Sequence, residues 1–66
     1  MIKADFVFHP HGSLWLVQPT SDQAREQLVA NVSDEAQWWA GRLVVEPRYV
    51  ASLAEQLTDE GWTVTL

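Results

Sequence analysis

The sequence predicts an α+β fold, a two-layer sandwich with element order β-β-α-β-α-β in which two helices cover one face of a four-stranded mixed sheet. Three observations carry that expectation. The stretch from Arg42 to Leu66 reads as one strand, helix, strand unit. The first residues alternate in side-chain character and are interrupted by a Pro and a Gly, as a hairpin requires. Between these two parts lies one short segment with apolar residues four apart, the spacing of a helix. Elements in this order bury their apolar sides most simply by laying helices on a sheet.

Ile2, Ala4, Phe6 and Phe8 alternate with Lys3, Asp5, Val7 and His9, so a first strand is expected with its aromatic face inward. His9-Pro10-His11-Gly12 supplies Pro and Gly for a turn, and Leu14-Trp15-Leu16-Val17 resumes as the antiparallel partner. Pro19 ends that strand. Thr20 or Ser21 then caps a helix running to about Asn31, with Gln23 placed for a capping box on Thr20. Its narrow stripe of Ala24, Leu28 and Val32 suggests a helix lying at the edge of the sheet. Ser33 is a candidate cap for a further turn through Glu35 and Ala36, and Gly41 reads as a break. Trp38 and Trp39 are adjacent, so on a regular element they point apart: one plugs the edge of the core while the other covers the helix junction or stays partly exposed.

Leu43-Val44-Val45 is a short apolar strand that ends near Glu46, because Pro47 fixes φ and suits the first turn of a helix. Tyr49, Val50, Leu53, Ala54 and Leu57 form that helix's apolar stripe. Gly61 stands where a left-handed residue closes the helix, and Trp62, Val64 and Leu66 alternate with Thr63 and Thr65 as a last strand. Such a unit closes as a right-handed crossover between parallel strands that are adjacent or one apart. Asp59 and Glu60 sit against the macrodipole at the helix end, and the sequence offers no reason for them.

Sixty-six residues make a single domain, 1–66, near the lower limit for a fold without staples, and no cysteine is present to supply one. Packing must therefore carry stability, and four Trp, two Phe and one Tyr suit that demand. No apolar run reaches the roughly 18 residues of a membrane span, and the start MIKADF lacks the pattern of a signal peptide, so a cytoplasmic protein is expected. The net charge of -5, with Lys3, Arg25, Arg42 and Arg48 scattered, disfavours a nucleic-acid partner, which needs a basic patch.

His9 and His11 would share one face if the first strand ran through both, as two imidazole ligands of a metal require. Pro10 and Gly12 argue instead for a turn, so no metal and no cofactor is assigned. Ser13 beside His11 makes a poor nucleophile and base, since such groups are rarely sequence neighbours. The tryptophans fit core or protein interface better than base-stacking platforms, which work alongside positive charge.

FVFHPHGSLWLVQPTSDQAREQLVANV, EAQWWAGRLVVEPRYVASLAEQL and EGWTVTL together resemble short uncharacterised proteins encoded by phages, prophages and other mobile elements of proteobacteria. Phe8-His9-x-His11-Gly12, Ala24-Arg25-Glu26, Gln37-Trp38-Trp39 and Val44-Val45-Glu46-x-Arg48-Tyr49 are the most recognisable pieces. The resemblance implies a phage-type accessory protein in a bacterial cytoplasm and brings no activity or catalytic residues with it.

Two helices on one face leave the opposite face bare. The alternation expected above puts Val7, Trp15, Val17, Val44, Thr63 and Thr65 there, together with Lys3 and Asp5. That is more apolar than a solvated face, and such patches mark contact sites. The expected function is therefore a non-enzymatic protein-protein interaction module, self-associating as a homodimer or docking to a larger protein. A nucleic-acid-associated regulator and a small metal binder through His9 and His11 are the alternatives.

Overall fold

The structure is a computed structural model that describes residues 4–32 and 35–66. Among these the chain forms β1 (Phe6–His11), β2 (Leu14–Pro19), α1 (Asp22–Asn31), β3 (Trp38–Trp39), β4 (Arg42–Val45), α2 (Pro47–Asp59) and β5 (Val64–Thr65). The expected order of elements is present with one addition, the strand β3. The expected start of β1 at Ile2 and Lys3, and the cap at Ser33, lie outside the described residues. None of the described helices is long and apolar enough to cross a membrane.

The five strands form one mixed sheet in the order β3-β4-β2-β1-β5, with β1 parallel to β5 and every other neighbouring pair antiparallel. β4 and β5 are thus parallel, as the strand, helix, strand unit requires, but β2 and β1 stand between them. The crossover is wider than expected because the N-terminal hairpin occupies the middle of the sheet.

Two tight turns set the registers. Gly12 has φ +64 and Ser13 completes a two-residue loop, so His11 pairs with Leu14 and the strand runs two residues further than Pro10 and Gly12 suggested. Pro10 is tolerated inside β1 because of where its missing N–H would point. The Phe6 amide donates outward to the Thr63 carbonyl of the β5 segment at 3.1 Å. By the period of two, the nitrogen at position 10 faces that same side, beyond the two residues with which β5 pairs. The second turn, Ala40-Gly41, has φ +52 and +77, the positive pair that a type I′ hairpin demands. It folds Trp38–Trp39 back onto Arg42–Leu43 and creates β3.

Phe6, Phe8, Val17, Leu43 and Val45 project from one face of the sheet into a core completed by Ala24 and Leu28 of α1 and Val50 and Leu57 of α2. Trp15, Leu53, Ala54, Trp62 and Val64 pack around it, with Trp62 edge-on to Phe6 at 5.5 Å between ring centroids. α1 rests against β2, the central strand, and not at the sheet's edge. Its cap is Ser21, whose Oγ accepts from the Ala24 amide at 3.1 Å. The capping box expected at Thr20 is absent because that hydroxyl donates to the Ala4 carbonyl at 2.8 Å instead, tying the hairpin's two ends together.

Tyr49, expected in the α2 stripe, is exposed beneath the Arg48 guanidinium at 4.9 Å, and Arg48 also pairs with Glu46 at 3.0 Å. As a solvent-exposed pair this contributes about 0–1 kcal/mol. The acidic end of α2 has a reason in three dimensions. Glu60 accepts from Gln27 Nε2 at 2.9 Å and Asn31 Nδ2 at 3.0 Å, so its carboxylate clamps α1 to the end of α2.

Candidate functional site

The hairpin register decides what the outer face of the sheet carries. Directly paired residues point to the same side, and Phe8 pairs with Val17 while Val7 pairs with Gln18. Val17 is therefore core, fully buried, and Trp15 packs beside it opposite Val45. This corrects the expectation that Trp15 and Val17 line the open face. In Leu-Trp-Leu-Val every position is apolar, so hydrophobicity sets no phase; the two-residue turn sets it, and the strand is reversed relative to the expectation. Val7, Val44 and Thr65 do share the open face, since Val7 pairs with Thr65 and Val44 with Leu16. Thr63 lies just before β5, where its amide donates to the Asp5 carboxylate at 2.9 Å and its carbonyl accepts from Asp5 and Phe6. Asp5 is thus occupied at the rim, and Lys3 lies outside the described residues.

The open face so built carries Val7, His9 and His11 from β1, Leu14, Leu16 and Gln18 from β2, Arg42 and Val44 from β4, Trp39 from β3 and Thr65 from β5. None of these is acidic, although the chain has nine carboxylates and a net charge of -5. Leu16 is nearly buried at 5% exposure in the middle of the face, while Leu14 and Trp39 remain 38% and 54% exposed. Between them lies an open depression of about 480 Å³ lined by His11, Leu14, Leu16, Gln37, Val44 and the two tryptophans. Neither Trp38 nor Trp39 is buried, which corrects the expectation of one plug residue. As a two-residue edge strand, β3 sends Trp38 to the side of Leu43 and Trp39 to the side of Arg42.

No family model, curated protein or solved structure matches this chain. Its function must be argued from its own surface.

The two histidines are placed differently from the turn expected for them. β1 runs through both, so His9 and His11 stand two residues apart on one face. His9 Nε2 donates to Gln18 Oε1 at 3.1 Å, and the His11 ring lies 5.5 Å from that of Trp39 at a tilt of 32°. Among the described residues no group of three His, Cys, Asp or Glu side chains converges. Ser13 occupies the hairpin turn. A second hollow, of about 320 Å³ and lined by Arg25, Arg42, Ser21 and Asp22, lies at the start of α1, where Arg25 already donates to the Gly41 carbonyl at 3.4 Å.

Proposed function

We propose that the protein is a non-enzymatic interaction module, a two-layer sandwich whose uncovered sheet face docks a protein surface, in the first place a second copy of itself. The observation that carries this reading is the carboxylate-free apolar centre formed by Leu14, Leu16, Val44 and Trp39 on an otherwise acidic molecule. Like-charged copies can meet there without bringing acids face to face. The resemblance to short phage-encoded proteins supports an accessory role in a bacterial cytoplasm.

Sedimentation equilibrium in EDTA over a wide concentration range tests self-association. A wild type whose mass rises toward twice the chain mass, against monomeric Leu14→Lys and Val44→Lys variants that remain folded by circular dichroism, is the expected result. Val29→Lys, on the exposed side of α1, should behave as wild type. A wild type that stays monomeric throughout removes self-association through this face.

The Trp39 ring lying 5.5 Å from that of His11 at a tilt of 32°, with Arg42 beside it, also favours a second reading as a single-strand binder. A gel shift at low salt in which Trp39→Ser abolishes retardation would support it, and no retardation of the wild type would remove it.

A further inference from the structure

We propose that His9 and His11 are half of a tetrahedral metal site, completed by the same two residues of a second copy, so that a zinc-type ion bridges two open faces. The proposal rests on the docking reading above and adds the ion to it.

Three features of the chain support it. First, β1 continues in register through both histidines, which puts their Cα atoms on one face about 7 Å apart, a spacing at which the two side chains share one ion at ~2.0–2.1 Å from each nitrogen once His11 turns from Trp39. Second, His9 has a hydrogen-bond partner of the kind that a ligand histidine uses. Its Nε2–H is held by Gln18 Oε1 at 3.1 Å, which leaves Nδ1 as the lone-pair nitrogen. A ligand histidine characteristically gives its other N–H to such a partner, which sets the tautomer and the ring direction. Third, two imidazoles are half of what zinc needs, and no third His, Cys, Asp or Glu converges with them among the described residues. A copy related by a two-fold axis supplies the missing pair, because an isologous contact presents the same residues from both sides.

The area available points the same way. The five strands hold 20 residues between them, about 320 Å² of sheet per face, so two such faces bury about 650 Å² in all. That is below what a specific interface buries, and apolar contact alone would hold it weakly. A bridging ion with four neutral imidazoles adds directional bonds to the contact and opposes the repulsion between two copies of charge -5.

The test is sedimentation equilibrium of the whole chain in EDTA and in zinc chloride, with wild type, His9→Ala, His11→Ala and the double variant. The expected result is a dimer at least tenfold tighter in zinc than in EDTA, reversed by chelation, at one zinc per two chains by calorimetry. Each single variant should lose that gain while keeping the wild-type association in EDTA. Cobalt in place of zinc should give the strong visible bands of a tetrahedral site in the wild type alone. A dimer in EDTA that zinc leaves unchanged overturns the bridge and leaves the docking reading standing. One zinc per chain without dimerisation overturns the bridge as well. A wild type monomeric in EDTA overturns self-association through the bare face, and one that is monomeric in zinc as well overturns the bridge too.

Discussion

Gly61→Ala isolates one contribution to the fold, the backbone conformation that ends α2. Gly61 has φ +94; its amide donates to the Thr58 carbonyl at 3.0 Å, and the Trp62 amide donates to the Leu57 carbonyl at 3.0 Å. This pair of bonds is the Schellman arrangement, which satisfies the last helical carbonyls and turns the chain back. The turn delivers Trp62 to the edge of Phe6 and starts β5 beside β1. A Cβ added at Gly61 meets no atom within 4 Å, so alanine introduces no steric clash and the loss is conformational alone. A left-handed alanine costs about 1–2 kcal/mol, and the stiffer unfolded chain returns about 0.4–1 kcal/mol of it. The expected net loss is about 1 kcal/mol, which for a domain this small lowers the melting temperature by roughly 4–8 °C. Urea unfolding followed by tryptophan fluorescence should show the midpoint falling by about 1 M at unchanged slope. Gly61→Asn should fall between glycine and alanine, since asparagine tolerates the left-handed region. An alanine variant whose midpoint equals that of the wild type, or an asparagine variant weaker than alanine, would refute the reasoning.

Ala40→Asn should stabilise the protein by about 0.5–1 kcal/mol, because Ala40 is the one non-glycine described residue at positive φ and Asn-Gly is the preferred type I′ pair; a thermal scan that shows no rise would remove the strain attributed to this turn. Glu60→Ala should cost about 0.5–1.5 kcal/mol by releasing Gln27 and Asn31, and a double-mutant cycle with Asn31→Ala should show coupling. Additive losses in that cycle would mean that the clamp does not act between the helices.

Much of the fold is legible from local signals. Pro47 and Gly61 bracket α2, the Val50 and Leu57 stripe faces inward, and Phe6 and Phe8 are the buried side of β1, all from spacing and backbone chemistry along one stretch of chain. β3 is not legible in this way. Trp38 and Trp39 carry no alternation, and the turn that makes them a strand uses an alanine at positive φ, which no propensity favours. The acidic end of α2 looks unfavourable within its own helix and makes sense only beside Gln27 and Asn31, far away in sequence.

The candidate site divides along the same line. The sequence by itself determined that Val7 and Thr65 lie on the side of the sheet away from Phe6 and Phe8, because a period of two suffices for that. Only the tertiary structure decided that Leu16 and Trp39, not Trp15 and Val17, complete the face, and that His9 and His11 stand on it together. The physical reason is that an all-apolar strand has no phase of its own. Its phase comes from a two-residue turn and from the partner strand, and a shift of one residue sends every side chain to the opposite face.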